Sequence, residues 1–226
     1  MSAEVEWRHA DGGGEEHQEE GVWLTVGDLM SALLLIFALL FIVTVLQLQE
    51  FTEQDERTRI ILIQSLQQQF DFEGIQVELN EETGDISILD SVLFDVDQHQ
   101  IKPEGIEFLD RFIPVYSRVI FSDPVIEEEV VRVIIEGHTS SSGSFEHNMQ
   151  LSLLRANSVT QYISEFMVFA NKGAFLAKVM AAGRGEIEAE QAFDDPNDRK
   201  VVFRFQFRGQ EFRQWAEQMG AMPSDD

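Results

Sequence analysis

Residues 26–43 read Val-Gly-Asp-Leu-Met-Ser-Ala-Leu-Leu-Leu-Ile-Phe-Ala-Leu-Leu-Phe-Ile-Val, an apolar run with a carboxylate near its head. From Leu29 to Leu46 the only polar residues are Ser31 and Thr44. A helix of about 18 residues is roughly 27 Å long, close to the hydrocarbon thickness of a bilayer. A cleaved signal peptide would need a basic leader, a shorter apolar core and a small-x-small cleavage site. Here the leader carries Glu15, Glu16, Glu19 and Glu20, and Leu46-Gln47-Leu48-Gln49 offers no such site. The run is therefore read as one uncleaved transmembrane helix over residues 22–48. Trp23 stands where an interfacial aromatic is expected, which puts Asp28 about 7 Å further into the membrane.

The chain has 226 residues, a net charge of −25 and no cysteine. Such an acidic balance argues against a nucleic-acid partner, because phosphate binding needs basic patches. Without cysteine there are no disulfides, thiolate metal sites or cysteine nucleophiles. No cluster of His, Asp or Glu has metal-ligand spacing. No nucleophile–base pattern and no phosphate-binding glycine loop occurs, so the sequence reads as a non-enzyme with neither metal nor cofactor. Arg8 lies before the span and Arg57 and Arg59 after it. Counted alone, these weakly favour a cytoplasmic C-terminus.

Residues 1–21 are polar, contain Gly12-Gly13-Gly14 and read as a disordered tail. Residues 49–69 carry Leu, Ile and Gln at helical spacing, as in a stalk that pairs with a second copy. A domain follows over residues 70–208. Ile75, Val77 and Leu79 alternate before a turn at Glu81–Asp85, and Ile86 and Ile88 alternate after it, which predicts a hairpin. Pro103 opens a helix through Ile106, Leu109, Phe112 and Ile113, with Pro114 expected to bend or restart it. Val130–Ile135 is apolar on both faces, like a central strand. A second helix holds Leu151, Leu154, Val159, Tyr162, Ile163 and Phe166. Val179–Ala182 reads as a short strand. Val201, Phe203, Phe205 and Phe207 alternate with Val202, Arg204, Gln206 and Arg208 in a final strand. The fold class is α+β: a transmembrane helix, a helical stalk and an α/β sandwich. Residues 209–226 read as a short helix and a frayed acidic end.

Several motifs in this domain fall in a fixed order. Gly137-His138-Thr139 ends the central strand. Asn148, Leu151-Ser152, Arg155-Ala156, Ser158-Val159 and Tyr162 follow, then Gly183-Arg184-Gly185-Glu186, then Asp198-Arg199-Lys200-Val201-Val202-Phe203. The series resembles the OmpA-like peptidoglycan-binding family. The resemblance implies that Thr139, Asn148, Leu151 and Arg155 belong to a site for the diaminopimelate of the wall peptide, with Arg155 on its carboxylate. The family's aspartate after His-Thr, which holds the amine, is Ser140 here. A hydroxyl replaces a charge-assisted hydrogen bond with a neutral one about half as strong, and Glu146 in the same loop is a candidate to restore the charge. Simpler roles exist for each residue: Arg155 pairing with an acid on its helix surface, Asn148 capping that helix, and His138 as a structural hydrogen bonder. Arg155→Ala is expected to weaken sedimentation with peptidoglycan and to leave the domain folded.

Asp28 has two readings. In one, Thr25-Val26-Gly27-Asp28 is a capping box at the start of the helix. In the other, Asp28 carries ions in a protein-lined part of the membrane, where a carboxylate is costly. Gly27, Ser31 and Ala38 fall on one helical stripe, and small residues there admit a neighbouring helix. The whole layout resembles the B subunits of ion-driven stators, a family that includes flagellar MotB subunits and the ZorB subunits of Zorya anti-phage systems. Gly-Asp-Leu-Met-Ser, the acidic tail and the short length incline it to the ZorB type. The resemblance implies an inner-membrane protein with a cytoplasmic N-terminus and a periplasmic domain, against the weak charge count. It also implies two B chains inside a ring of multi-span A subunits. A flagellar subunit, or a passive wall anchor without ion flow, is the alternative.

Overall fold

The computed structural model describes residues 13–209. The chain divides between Gln54 and Asp55 into two units. The expected helix and frayed end in residues 210–226 lie outside the described residues, as does Arg8 of the charge count.

Helix α1 runs Gly13–Glu73 over 61 residues. Helix, and not irregular chain, therefore covers residues 13–21. With its start at Gly13, α1 already has helical backbone at Thr25, so a capping box cannot operate there. In the first unit, Val26–Gln47 is long and apolar enough to cross a membrane, and among the described residues it is not buried. Ser31 and Thr44 each return their hydroxyl to the carbonyl one turn back, at 2.7 and 2.8 Å on Gly27 and Leu40. That keeps both polar groups satisfied in an apolar setting.

In the second unit the last turns of α1 do not behave as a free stalk. Leu62, Leu66 and Phe70, spaced four apart on one face, are buried in the domain core. The domain thus begins well before residue 70. Strands β1 (Glu78–Leu79) and β2 (Ile86–Leu89) form the expected hairpin, with the first arm reduced to two residues. Helices α2 (Asp90–Leu93), α3 (Pro103–Ile120) and α4 (Pro124–Glu129) lead into β3 (Val130–His138). Helices α5 (Phe145–Glu165) and α6 (Lys172–Lys178) lead to β4 (Val179–Gly185), and a 3-10 turn at Pro196–Asp198 precedes β5 (Lys200–Phe207). Pro103 and Pro124 sit at helix starts, where a missing N–H costs nothing. Pro114 neither ends nor restarts α3, which continues past it to Ile120.

The sheet order is β1-β2-β5-β3-β4, with β3 and β4 parallel and the other pairs antiparallel. One face is packed: Val133 and Ile135 of β3 and Phe203, Phe205 and Phe207 of β5 meet Phe112, Tyr116, Val159 and Ile163. Ring contacts run through it, with Phe70–Phe112 at 5.4 Å, Phe112–Phe203 at 5.0 Å and Tyr116–Phe205 at 5.3 Å. Along β5 the alternate side chains carry ions, Arg204 reaching Asp85 at 3.1 Å and Glu136 at 3.2 Å.

Two glycines set how closely α5 approaches the sheet. A Cβ on Gly137 would lie 2.1 Å from the Ser152 carbonyl oxygen. A Cβ on Gly183 would lie 2.6 Å from Ser152 Oγ and Leu153 Cγ. Gly137→Ala is therefore expected to destabilise the domain by about 3 kcal/mol. Gly173→Ala in α6, where a Cβ meets open space, should stay within about 0.5 kcal/mol of wild type. Denaturant titration of the chain in detergent, followed by circular dichroism, checks the pair.

Candidate functional site

The close approach of α5 to β3 and β4 builds the site. β3 ends in a bulge at Gly137/His138, and Thr139 N–H donates to the Gly185 carbonyl at 2.9 Å. The chain then loops to Ser144, which caps α5 by accepting from His147 N–H. Asn148 is thus not the cap. Its buried amide donates to the carbonyls of Ser140 at 3.3 Å and Ser142 at 3.0 Å, and to the Glu186 carboxylate. It buckles the β3–α5 loop to the start of the β4 exit. Ser152 explains the Leu-Ser and Gly-x-Gly-Glu motifs together, since its hydroxyl accepts from Gly185 N–H at 3.0 Å. His138 is buried, with Glu136 at 3.6 Å and Glu188 at 3.9 Å, and its Nε2 has no hydrogen-bond partner.

A cleft of about 280 Å³ opens at this loop. Thr139, Ser140, Asn148, Leu151 and Arg155 all line it. Arg199 of the last motif lines it too, as do Asp97 and His147, which sequence reasoning had not singled out. Asp97 takes a left-handed conformation, φ 59°, and its carboxylate lies 2.8 Å from His147 Nε2. Glu146, the sequence's candidate to replace the missing carboxylate, is exposed in the first turn of α5 and is not among the lining residues. A neighbouring cleft of about 270 Å³ shares Asp97, His147 and Leu151.

Arg155 does not pair on the surface of its helix. It is 1% exposed. Its Nε donates to the Gln98 carbonyl at 2.9 Å, its Nη2 lies 2.8 Å from Asp90 Oδ2, and its guanidinium stacks 5.3 Å from the Phe94 ring. Asp90, at the start of α2, is fixed in turn by its N–H on the Arg199 carbonyl. The pair is incompletely satisfied: Arg155 Nη1, Asp90 Oδ1 and, in the same cleft, Thr139 Oγ1 are buried without a partner. Such orphaned polar atoms mark a place where a ligand can supply the missing bonds. Burial dominates both ionisations. It raises the Asp90 carboxyl to about 6, against the opposing charges of Arg155, Arg199 and Lys102. It also lowers Arg155, against the pull of Asp90.

This burial changes what Arg155→Ala must do. The substitution leaves Asp90 buried without its cation, so the domain should lose about 3–5 kcal/mol and not remain intact; Arg155→Lys, which keeps the charge, should lose less. Thermal unfolding of the three proteins decides. The Asp90 shift has a definite sign. Its folded value lies above the unfolded 3.8, so between about pH 4 and 6 the folded chain holds a proton that the unfolded chain has released. This group's contribution to stability therefore falls as pH rises through that window. The stability difference between wild type and Asp90→Asn should change across it and level off above it.

The comparisons with known proteins fit this geometry. Residues 93–202 match the OmpA family, a span that contains every residue named in the 280 Å³ cleft. The chain is 25% identical over 214 residues to the Zorya protein ZorB of Escherichia coli strain Crooks, covering 84% of this chain and 89% of that one. It is 26% identical over 148 residues to ZorB of Escherichia coli O139:H28, covering 62% of this chain and 60% of that one. Among solved structures it is similar to a putative MotB-like protein from Desulfovibrio vulgaris, with 21% identity, a TM-score of 0.49, and coverage of 71% of this chain and 96% of that one. The chain thus carries an OmpA-family match over residues 93–202 behind a membrane-length apolar helix, and it is similar to ZorB over most of its length.

Proposed function

We propose that this chain is the B subunit of an ion-driven rotary motor of the inner membrane, serving in defence against phage. Its single span carries ions through Asp28, and its OmpA-like domain, in the periplasm, holds the complex to peptidoglycan. Two copies stand within a ring of multi-span A subunits, which Gly27, Ser31 and Ala38 let approach the helix around Asp28. The observation that carries the proposal is the pairing, in one chain similar to ZorB, of a lone carboxylate in a membrane-length apolar helix with a cleft in which buried Arg155 Nη1 and Thr139 Oγ1 have no hydrogen-bond partner.

In the cleft, Arg155 takes the carboxylate of a diaminopimelate group. Asp97 takes its ammonium, the task for which Ser140 carries no charge. Thr139 Oγ1 supplies a further hydrogen bond, while Asn148 and Leu151 shape the wall of the site. Ser140→Asp should then tighten sedimentation with purified peptidoglycan by up to about tenfold, the effect of one added charge-assisted hydrogen bond. Asp97→Asn should abolish most sedimentation. Unchanged sedimentation for Asp97→Asn removes Asp97 from the site.

Asp28→Asn tests the motor. Asparagine preserves size but can neither exchange a proton nor neutralise a cation. The driving force, about 2.3 kcal/mol per charge per 100 mV, is then left without a carrier. The variant should be expressed, should co-purify with its multi-span partner, and should give no protection in a phage challenge. Asp28→Glu should protect partially. Full protection by Asp28→Asn at matched protein levels would leave a passive wall anchor, the second reading, in its place.

A further inference from the structure

Asp90 is a buried acid that the sequence motifs do not include, and it touches the one cation on which the proposed wall site depends. We infer that Asp90 competes with the incoming carboxylate for Arg155, so that the cleft takes up an anion together with a proton from solvent. The inference rests on the anchoring reading above and adds its regulation.

The geometry makes Asp90 a fixed competitor. Its Oδ2 holds Arg155 Nη2 at 2.8 Å. The guanidinium cannot swing away to a ligand, because Nε is held by the Gln98 carbonyl and the plane lies against Phe94. Asp90 is buried, and its backbone is anchored by its N–H on the Arg199 carbonyl. Nη1 is the donor that has no protein partner. A ligand carboxylate that adds there comes to share one positive charge with a buried negative one. Protonating Asp90 removes that repulsion and leaves the Arg155 charge for the ligand. The other charges acting on Asp90 are those of Arg199 and Lys102. Arg199 lies ahead of β5, and Lys102, with Nζ on the Ser91 carbonyl at 2.5 Å, lies ahead of α3. Asp95 lines the second cleft beside Asp90, of about 330 Å³. Asp90 itself is raised to about 6 by burial, so the proton it needs is available just below neutrality.

Asp90 acts through Arg155 and is a positioning residue, so the test reads protons as well as affinity. The full chain in detergent is titrated with meso-diaminopimelate by calorimetry between pH 5 and 7. His147, which lines the same cleft beside Asp97, is replaced by glutamine in parallel, so that its own titration is subtracted. The wild-type affinity should rise by about tenfold from pH 7 to pH 5. Asp90→Asn should bind with the wild type's acid-limit affinity at every pH in that range. Should Asp90→Asn fail to fold, the wild type alone still decides. At pH 6.5, in two buffers of different ionisation enthalpy, binding must show net proton uptake. An Asp90→Asn affinity that keeps the wild-type pH slope, or binding without proton uptake, overturns the competition and leaves the anchoring site standing. Absence of diaminopimelate binding at any pH overturns both.

Discussion

A guanidinium at 1% exposure is the constraint around which this domain is arranged. A buried cation is tolerated only with hydrogen bonds and a counter-charge in place. Four separate pieces of chain supply them to Arg155: Asp90 at the start of α2, the Phe94 ring just after it, the Gln98 carbonyl in the following loop, and the Arg199 carbonyl that fixes Asp90. Each piece lies at the same end of the sheet, where β2, β3 and β5 finish or begin. The cleft is a consequence of that convergence. It also explains why the site is rich in unsatisfied polar atoms: the pair is made with one contact, not two, and the remaining donor and acceptor have no protein partner.

The close approach of α5 is the second condition. Arg155 reaches Asp90 only because α5 lies against β3 and β4, and it lies there because Gly137 and Gly183 have no Cβ to collide with Ser152 and Leu153. Ser152 then uses its hydroxyl on Gly185 N–H, and Asn148 locks the entering loop to Glu186. The motifs spread along the sequence are thus one contact surface read in pieces: glycines from two strands, and the serine, asparagine and arginine of the helix between them.

Sequence periodicity showed the alternating strand at 201–207 and the amphipathic face of α3, because both patterns are set by local geometry. The cleft residues on α5 and its loop were legible through a family motif. Asp90 and Asp97 were not, because what makes them functional is tertiary: each becomes part of the site only when α2 and its following loop fold against α5. Leu62 and Leu66 were misread for a related reason. Leucine, isoleucine and glutamine at helical spacing suit a paired stalk as well as the rim of a core, and pattern alone does not say which surface the face meets. Pro114 failed to break α3 because the helix packs along its length: Phe112, Ile113, Val115 and Tyr116 on either side of it are all buried, and tertiary packing overrides a local breaker.

The serine at position 140 gains its meaning from this arrangement. A carboxylate there would sit on the same loop as Asn148's acceptors, in a domain that already carries a large acidic excess. Asp97 instead lines the same cleft from another segment, hydrogen-bonded to His147, and its charge acts on Arg155. Asp97 as the acid and Arg155, partly neutralised by Asp90, as the base form a zwitterionic site. Ser140 leaves the ammonium to Asp97, while Asp90 sets how much of the arginine's charge a ligand meets.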